Sequence, residues 1–528
     1  MNSNSNSKWT IAMVAAAVSL VGVSISRGTT YVGNSGSVTW DVATSWTPNG
    51  IPTASDTAEI GYGNTCSMAI GGLNDVASTI ILGNGTGTGS LYFDGYSTST
   101  TAVLTVGGGT GTIQEGTTGS NVVFTNGTKL VTINAANIEA YGFAVGQGST
   151  YGYYVLPLTQ TWTSLNANSQ IAGHLTVGNG NNHTTPGGGD LIIQGTVNVG
   201  STTIASYSGA TTTPVSTLEL DGGTLNTSSI ALGTNGTTTN GLFLWNGGTI
   251  ENAGGLNLTV SGPNLQLASG TTNSFSISSG KTGTVSSALV DQTAGGALTV
   301  SGPGTLQLAA ANTYTGATYV NNGTLQLVTG GSIANSSGIE LSTGTTLNVN
   351  QITATLPSTQ SLTGSGTVYT SSLVTINGIL TPETYTDGTL TSTIGTLTFS
   401  GGTNAKSLLQ LSSTSLSNMA IQGFGSGQFD QITDGPLGGT VTFGGTLDVN
   451  MAGVTGAGSA QIFNFTAYSS DFSSIVFSNL ANGLSASFNA TTGTVNVTMA
   501  AIPEPAALGL MVFAGTGLLL VGRKRKQA

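Results

Sequence analysis

Apolar and polar residues alternate with period two through most of this chain, the pattern of strands that bury one face. The clearest stretch is 298–327, where Leu298/Val300, Leu306/Leu308 and Leu325/Leu327 each straddle a polar residue. Gly-Pro-Gly at 302–304, Thr-Gly at 315–316 and Asn-Asn-Gly at 321–323 separate these pairs. Glycine reaches positive φ and proline presets a turn, so corners are expected there. Weaker copies recur as Ile80-Ile81-Leu82-Gly83 before Leu91-Tyr92-Phe93, and as Leu175-Thr176-Val177-Gly178 before Leu191-Ile192-Ile193. Another copy is Ala231-Leu232-Gly233 before Leu242-Phe243-Leu244-Trp245. Ser-Gly-Pro corners begin at Ser261 and Ser301, 40 residues apart, as two turns of about 20 would place them. Short strands at a near-constant period bury their apolar face by stacking on one another.

The expected fold is therefore all-β, a right-handed parallel β-helix (β-solenoid) with terminal caps. Residues 76–420 form its repeat region, between an N-terminal capping module at 27–75 and a closing β module at 421–499. About 20 residues per turn predicts on the order of 17 turns over 76–420, a rod about 80 Å long. Tyr151–Ser164 interrupts the alternation with Tyr, Pro and Trp162 and is expected to be an inserted loop. Trp40 and Trp46 read as lids over the first rung, with a sugar-stacking platform as the alternative.

Composition agrees with this and removes other classes. The 528 residues include 81 glycines and are only 5% charged, against about a quarter in ordinary globular domains. Residues 27–502 hold four basic residues, Arg27, Lys129, Lys281 and Lys406, against 19 acidic ones, a net of −15. Phosphate neutralisation needs basic patches, so nucleic acid is excluded as a partner. The single cysteine, Cys66, rules out a disulfide framework within the chain.

The ends carry address signals. Residues 1–26 have a polar start, Lys8 and the apolar run Ile11–Val23, with Ser24 and Ser26 placed for cleavage before Arg27; this is the form of a secretory signal peptide, with an uncleaved N-terminal anchor as the alternative. At the far end, Pro503, Glu504 and Pro505 precede an uncharged apolar run at 506–522 and then Arg523, Lys524, Arg525 and Lys526. Seventeen residues span about 25 Å as a helix, just enough to cross a membrane, and the basic cluster would hold the C-terminus in the cytoplasm. The tripartite order over 503–528 resembles the PEP-CTERM sorting signal. That resemblance implies export by the general secretion machinery, transient anchoring in the inner membrane and recognition by an exosortase-type membrane protease.

The stretch 298–327 resembles the autotransporter-associated β-strand repeat of bacterial surface proteins, of the form G-x-G-T-L-x-L…N-x-Y-x-G-x-T-x-V…x-G-T-L. The signature positions are Gly302, Gly304, Thr305, Leu306, Leu308, Asn312, Tyr314, Gly316, Thr318, Val320, Gly323, Thr324 and Leu325. After Met499 only one helix and a basic tail are predicted, too little for a translocating barrel, so self-export is not expected. The two resemblances imply a non-enzymatic structural or adhesive protein at the cell surface or in the extracellular matrix. Extracellular polysaccharide is the partner its Thr/Asn/Ser-rich faces would meet.

Candidate chemistry is sparse. A polysaccharide lyase or glycosidase on the same scaffold is the alternative, and it needs a strong base or paired carboxylates. The nearest acidic approaches along the chain are Glu219/Asp221, Glu383/Asp387 and Asp430/Asp434, read as solvated turn residues. His174 and His183, nine apart without Cys or clustered carboxylates, do not make a metal site. No catalytic residue, metal or cofactor is expected.

Overall fold

The computed structural model describes residues 29–500, except 35, 62–65, 71–74, 84–87, 95–100, 108–110, 116–119, 127–129, 148, 164–170, 172, 181–185, 208–211, 387 and 402–406. The signal peptide, the sorting signal and its apolar run, Arg27, Lys129, His183, Asp387 and Lys406 lie outside the described residues.

The described chain is all-β, and its strands stack in parallel ladders around one continuous apolar interior. The first face is a 19-stranded sheet, parallel throughout except for Trp46–Thr47, which runs antiparallel to Thr30–Gly33. The second face is an open ladder from Gly36–Thr39 to Phe463–Asn464. Apolar positions stack in register along each face, as in Leu306, Leu325, Leu347 and Val368 on the second, all at most 2% exposed. Period-two alternation sends one side chain of each pair inward and the other to solvent, which is why the Leu-x-Leu pattern repeats.

The third face is discontinuous. A three-stranded ladder covers Asp75–Ala77, Thr101–Val106 and Leu130–Asn134, and a six-stranded one runs from Gly152–Leu156 to Leu289–Asp291. A five-stranded ladder starts again at Thr355–Leu356 and ends at Ala467–Ser469. Between 291 and 355 each turn has only two strands. The 20-residue step Val300↔Val320 belongs to these short turns, whereas Ile250↔Phe275 is 25 residues and Trp162↔Val197 is 35. A period of about 20 therefore holds locally, and 76–420 makes fewer and longer turns than expected. Parallel pairing also passes both expected boundaries, from Thr30↔Thr57 to Thr446↔Ser474. At about 4.8 Å per rung, the first face alone spans roughly 80 Å.

Within the expected inserted loop Tyr151–Ser164, the described residues 151–163 form part of a solenoid rung instead. Gly152–Leu156 joins the third face, and Thr161–Thr163 joins the first. Tyr154 and Trp162 point inward, Tyr154 tilted against Phe124 at a centroid distance of 4.4 Å and Trp162 stacked on Phe143 at 4.7 Å. Large rings replace Leu and Ile at the same inward positions, which hid the alternation. Their polar edges are satisfied inside: the Tyr154 hydroxyl donates to Gln160 Oε1 at 2.7 Å, and Gln160 Nε2 donates to the carbonyls of Ile133 and Ala135.

Both ends are closed by aromatics. Trp40 and Trp46 are fully buried, edge to face at 5.0 Å, and Trp46 Nε1 donates to the Trp40 carbonyl at 2.7 Å. Rings so buried cannot stack on a sugar. At the other end Phe443, Phe463, Phe472 and Phe488 cluster, beside an antiparallel sheet of Gly458–Gln461, Thr494–Met499 and Leu484–Asn489.

Candidate functional site

In the stretch 298–327 the repeat signature builds a rung without a third strand. Leu298–Val300 and Thr318–Val320 pair on the first face, and Thr305–Leu308 and Thr324–Leu327 pair on the second. Asn312 and Tyr314 occupy the irregular segment where a third-face strand would run. Asn312 Oδ1 accepts from the Leu289 amide of the rung before at 2.9 Å, and its Nδ2 donates to the carbonyls of Ala310 and of Ser332 on the rung after. Tyr314, 1% exposed, fills the interior. Its hydroxyl lies 2.6 Å from Thr318 Oγ1, which lies 3.0 Å from Ser336 Oγ. Gly316 passes so close to the rung before that a Cβ would sit 2.3 Å from the Gly296 carbonyl oxygen, and Gly323 takes a φ of +67°. These residues hold rungs together and carry no reactive group.

A polar groove lies on the first face beside this repeat. It crosses three successive rungs, has a volume of about 510 Å³, and is lined by Thr271, Thr272, Thr299, Tyr319 and Asn321. Its far wall is Gly388, at the tip of the antiparallel hairpin Thr384–Thr386/Thr389–Ser392. That hairpin leaves the first face after Ile379–Pro382 and folds back over earlier rungs. The Gly388 amide donates to Ser342 Oγ at 3.0 Å, and the Thr343 amide to the Tyr385 carbonyl at 2.9 Å. A Cβ at Gly388 would stand 2.7 Å from Asn321 Nδ2, so the wall closes tightly on that amide. Asn321 Oδ1 is out of contact with solvent and has no hydrogen-bond partner.

Glu340 follows Tyr319 in the same outward column. Its Oε1 is likewise shielded and unpartnered, and burial, reinforced by Glu383, pushes its carboxyl up to about 7. Glu383 accepts from the Tyr385 hydroxyl at 2.6 Å. The structure thus brings Glu340 within electrostatic reach of Glu383, 43 residues away, while Asp387 lies outside the described residues. Chain spacing gave no signal for this, because the hairpin's fold-back creates it.

The other sequence candidates serve the scaffold. Glu219 accepts from Asn246 Nδ2 and Asp221 from Gln194 Nε2, each an amide on a neighbouring rung. Asp430, 1% exposed, accepts from the Gly395 and Ala420 amides at 2.8 and 2.6 Å, while Asp434 accepts from the Gly439 amide and from Thr466. Burial pushes Asp430 up to about 8, against those two backbone donors. His174 is exposed, edge to face with Tyr141. Among the described residues no group of three His, Cys, Asp or Glu side chains is arranged to hold a metal. Cys66 opens the second-face strand Cys66–Ile70.

Fold and site together define an all-β solenoid built of stacked parallel rungs. Residues 298–327 match the passenger-associated transport repeat family. No curated protein matches the chain.

Proposed function

We propose that this is an exported, non-enzymatic structural or adhesive protein whose right-handed solenoid stands at the cell surface or in the extracellular polysaccharide matrix. The observation that carries the reading is the passenger-type repeat set within an unbroken parallel ladder, with a rung chemistry devoted to cohesion. Adhesion by such a rod is multivalent: many weak polar contacts along its faces add through effective concentration. Export and sorting rest on the sequence. The leader at 1–26 directs secretion, and Pro503-Glu504-Pro505, the apolar run at 506–522 and Arg523–Lys526 form a tail for an exosortase-type protease, which removes it after transient inner-membrane anchoring. Intact-mass analysis of the protein recovered outside the cell tests this. The expected mass lacks both termini, and a mature form still carrying Arg523–Lys526 refutes tail processing.

One observation favours a second reading, a polysaccharide-active enzyme. Glu340 and Glu383 form a carboxyl pair next to the groove, and paired carboxyls are what glycoside hydrolysis requires. Against it, the Tyr385 hydroxyl engages Glu383, and Glu340 Oε1 lies out of contact with solvent. Depolymerisation by the purified protein that disappears in Glu340→Gln would establish the enzyme and overturn the structural reading.

A further inference from the structure

We infer that the first-face groove between Thr271 and Gly388 is a binding subsite for an uncharged polysaccharide segment. The inference rests on the adhesive reading above and names its ligand class.

Shape comes first. The groove's volume of about 510 Å³ falls within the range of small-molecule sites, and it crosses three rungs, about 10 Å along the rod. A short stretch of linear glycan fits such a trough, while a folded partner does not.

Chemistry comes second. Tyr319 presents a ring with an apolar body and a polar tip, the surface on which the C–H face of a pyranose packs. Thr272 and Thr299 supply hydroxyls that both donate and accept, matching sugar hydroxyls in either role, and Thr271, whose own proton turns to the Ala268 carbonyl, adds an acceptor. Asn321 marks the closed end of the trough, where its amide packs against Gly388 and its Oδ1 is shielded from solvent.

Charge decides between neutral and acidic glycans. Beyond the groove's closed end lie Glu340 and Glu383, and Lys281 is the one lysine or arginine among the described residues. Uronates, sulfates and phosphates would meet acidic groups with no cation lining the groove to receive them. An uncharged polymer meets no such repulsion.

The hairpin sets the length. Its tip at Gly388 closes the trough at Asn321, so the same column of outward residues, continuing through Glu340 and Thr363, is withheld from the ligand. The site therefore stops a bound chain at Asn321 and does not carry it along the whole rod.

The test uses the full exported chain and titration calorimetry against neutral hexaoses of β-1,4- and β-1,3-linked glucose and α-1,6-linked glucose, with hexagalacturonate as the acidic probe. At least one neutral hexaose should bind measurably, and hexagalacturonate at least tenfold more weakly. Tyr319→Ala should weaken that binding at least tenfold, and Thr299→Val, which keeps the shape, about threefold, with circular dichroism and melting unchanged. Absence of binding by every neutral hexaose, equal affinity of Tyr319→Ala, or preference for hexagalacturonate overturns the inference. Adhesion of whole cells or purified rods to native matrix separates it from the broader reading. Matrix adhesion that survives Tyr319→Ala sinks the groove alone, and loss of matrix adhesion by the native protein sinks the adhesive function itself.

Discussion

Replacing Asn312 by alanine probes how a rung holds without its third strand. Asn312 is 3% exposed and makes three side-chain hydrogen bonds, one received from the Leu289 amide and two donated to Ala310 and Ser332 carbonyls. The two carbonyls keep other donors, since the Asn312 amide reaches Ser332 and the Ser332 amide reaches Ala310. Losing those bonds costs about 0.5–1 kcal/mol each. The Leu289 amide has no such substitute, and an orphaned buried donor costs about 1–3 kcal/mol. The sum is about 3 kcal/mol, localised to the rungs around 289–332. A long array need not unfold in one step, so a single melting curve is a poor gauge. Hydrogen exchange is better: opening of segments containing Leu289 and Ser332 should accelerate a little over a hundredfold, because each 1.4 kcal/mol is a factor of ten. Asn322→Ala is the control, since Asn322 is exposed and its side chain accepts only from its neighbour's amide, Gly323, at 2.9 Å. It should change exchange less than threefold. Equal protection in Asn312→Ala and the native protein would refute the role assigned to Asn312.

Gly316→Ala should destabilise its rung by at least 2 kcal/mol, because the added Cβ meets the Gly296 carbonyl oxygen at 2.3 Å. Gly344→Ala, at φ +82° with open space around it, should cost only the left-handed penalty of about 1–2 kcal/mol; exchange at the two sites ranks them. Because Glu340 titrates near 7 when folded and near 4.5 when unfolded, the folded state binds its proton more tightly, and stability falls as pH rises from about 4.5 to about 7. Glu340→Gln should flatten that part of the profile of melting temperature against pH, and parallel profiles would count against the shielded carboxyl. Asp430→Asn removes an acceptor from the Gly395 or Ala420 amide, and should speed exchange at that amide by about tenfold or more.

Strands were legible wherever small aliphatic residues carried the alternation, as at Leu306/Leu308 and Leu325/Leu327. The same rule fails for Tyr154 and Trp162, where aromatic bulk looks like an interruption although the inward positions are kept. Turn length was less legible, because the 20-residue step of the best-formed copy is not the general one: Leu362↔Leu380 fits a third-face strand into 18 residues, whereas Ile250↔Phe275 takes 25 and Trp162↔Val197 takes 35. Asn312, Tyr314 and Gly316 could be picked out as recurrent signature positions, yet their partners, Leu289, Thr318 and Gly296, follow only from stacking. The groove left no linear trace at all. Thr271, Thr299, Tyr319 and Gly388 come from separate turns, and a hairpin that folds back on its own solenoid defines their boundary.

The gap in the third face has a mechanical consequence. Bonds between stacked strands lie along the rod, so tension applied to its ends is borne by the ladders in parallel. From residue 291 to 355 two ladders carry that load instead of three, helped by single bonds such as those of Asn312 and of the Gly316 amide to Gly296. A pulled molecule should part at this waist before the three-ladder segments on either side of it, so the waist would act as a built-in fuse whose opening also takes apart the groove around Thr299 and Tyr319 and releases what it holds.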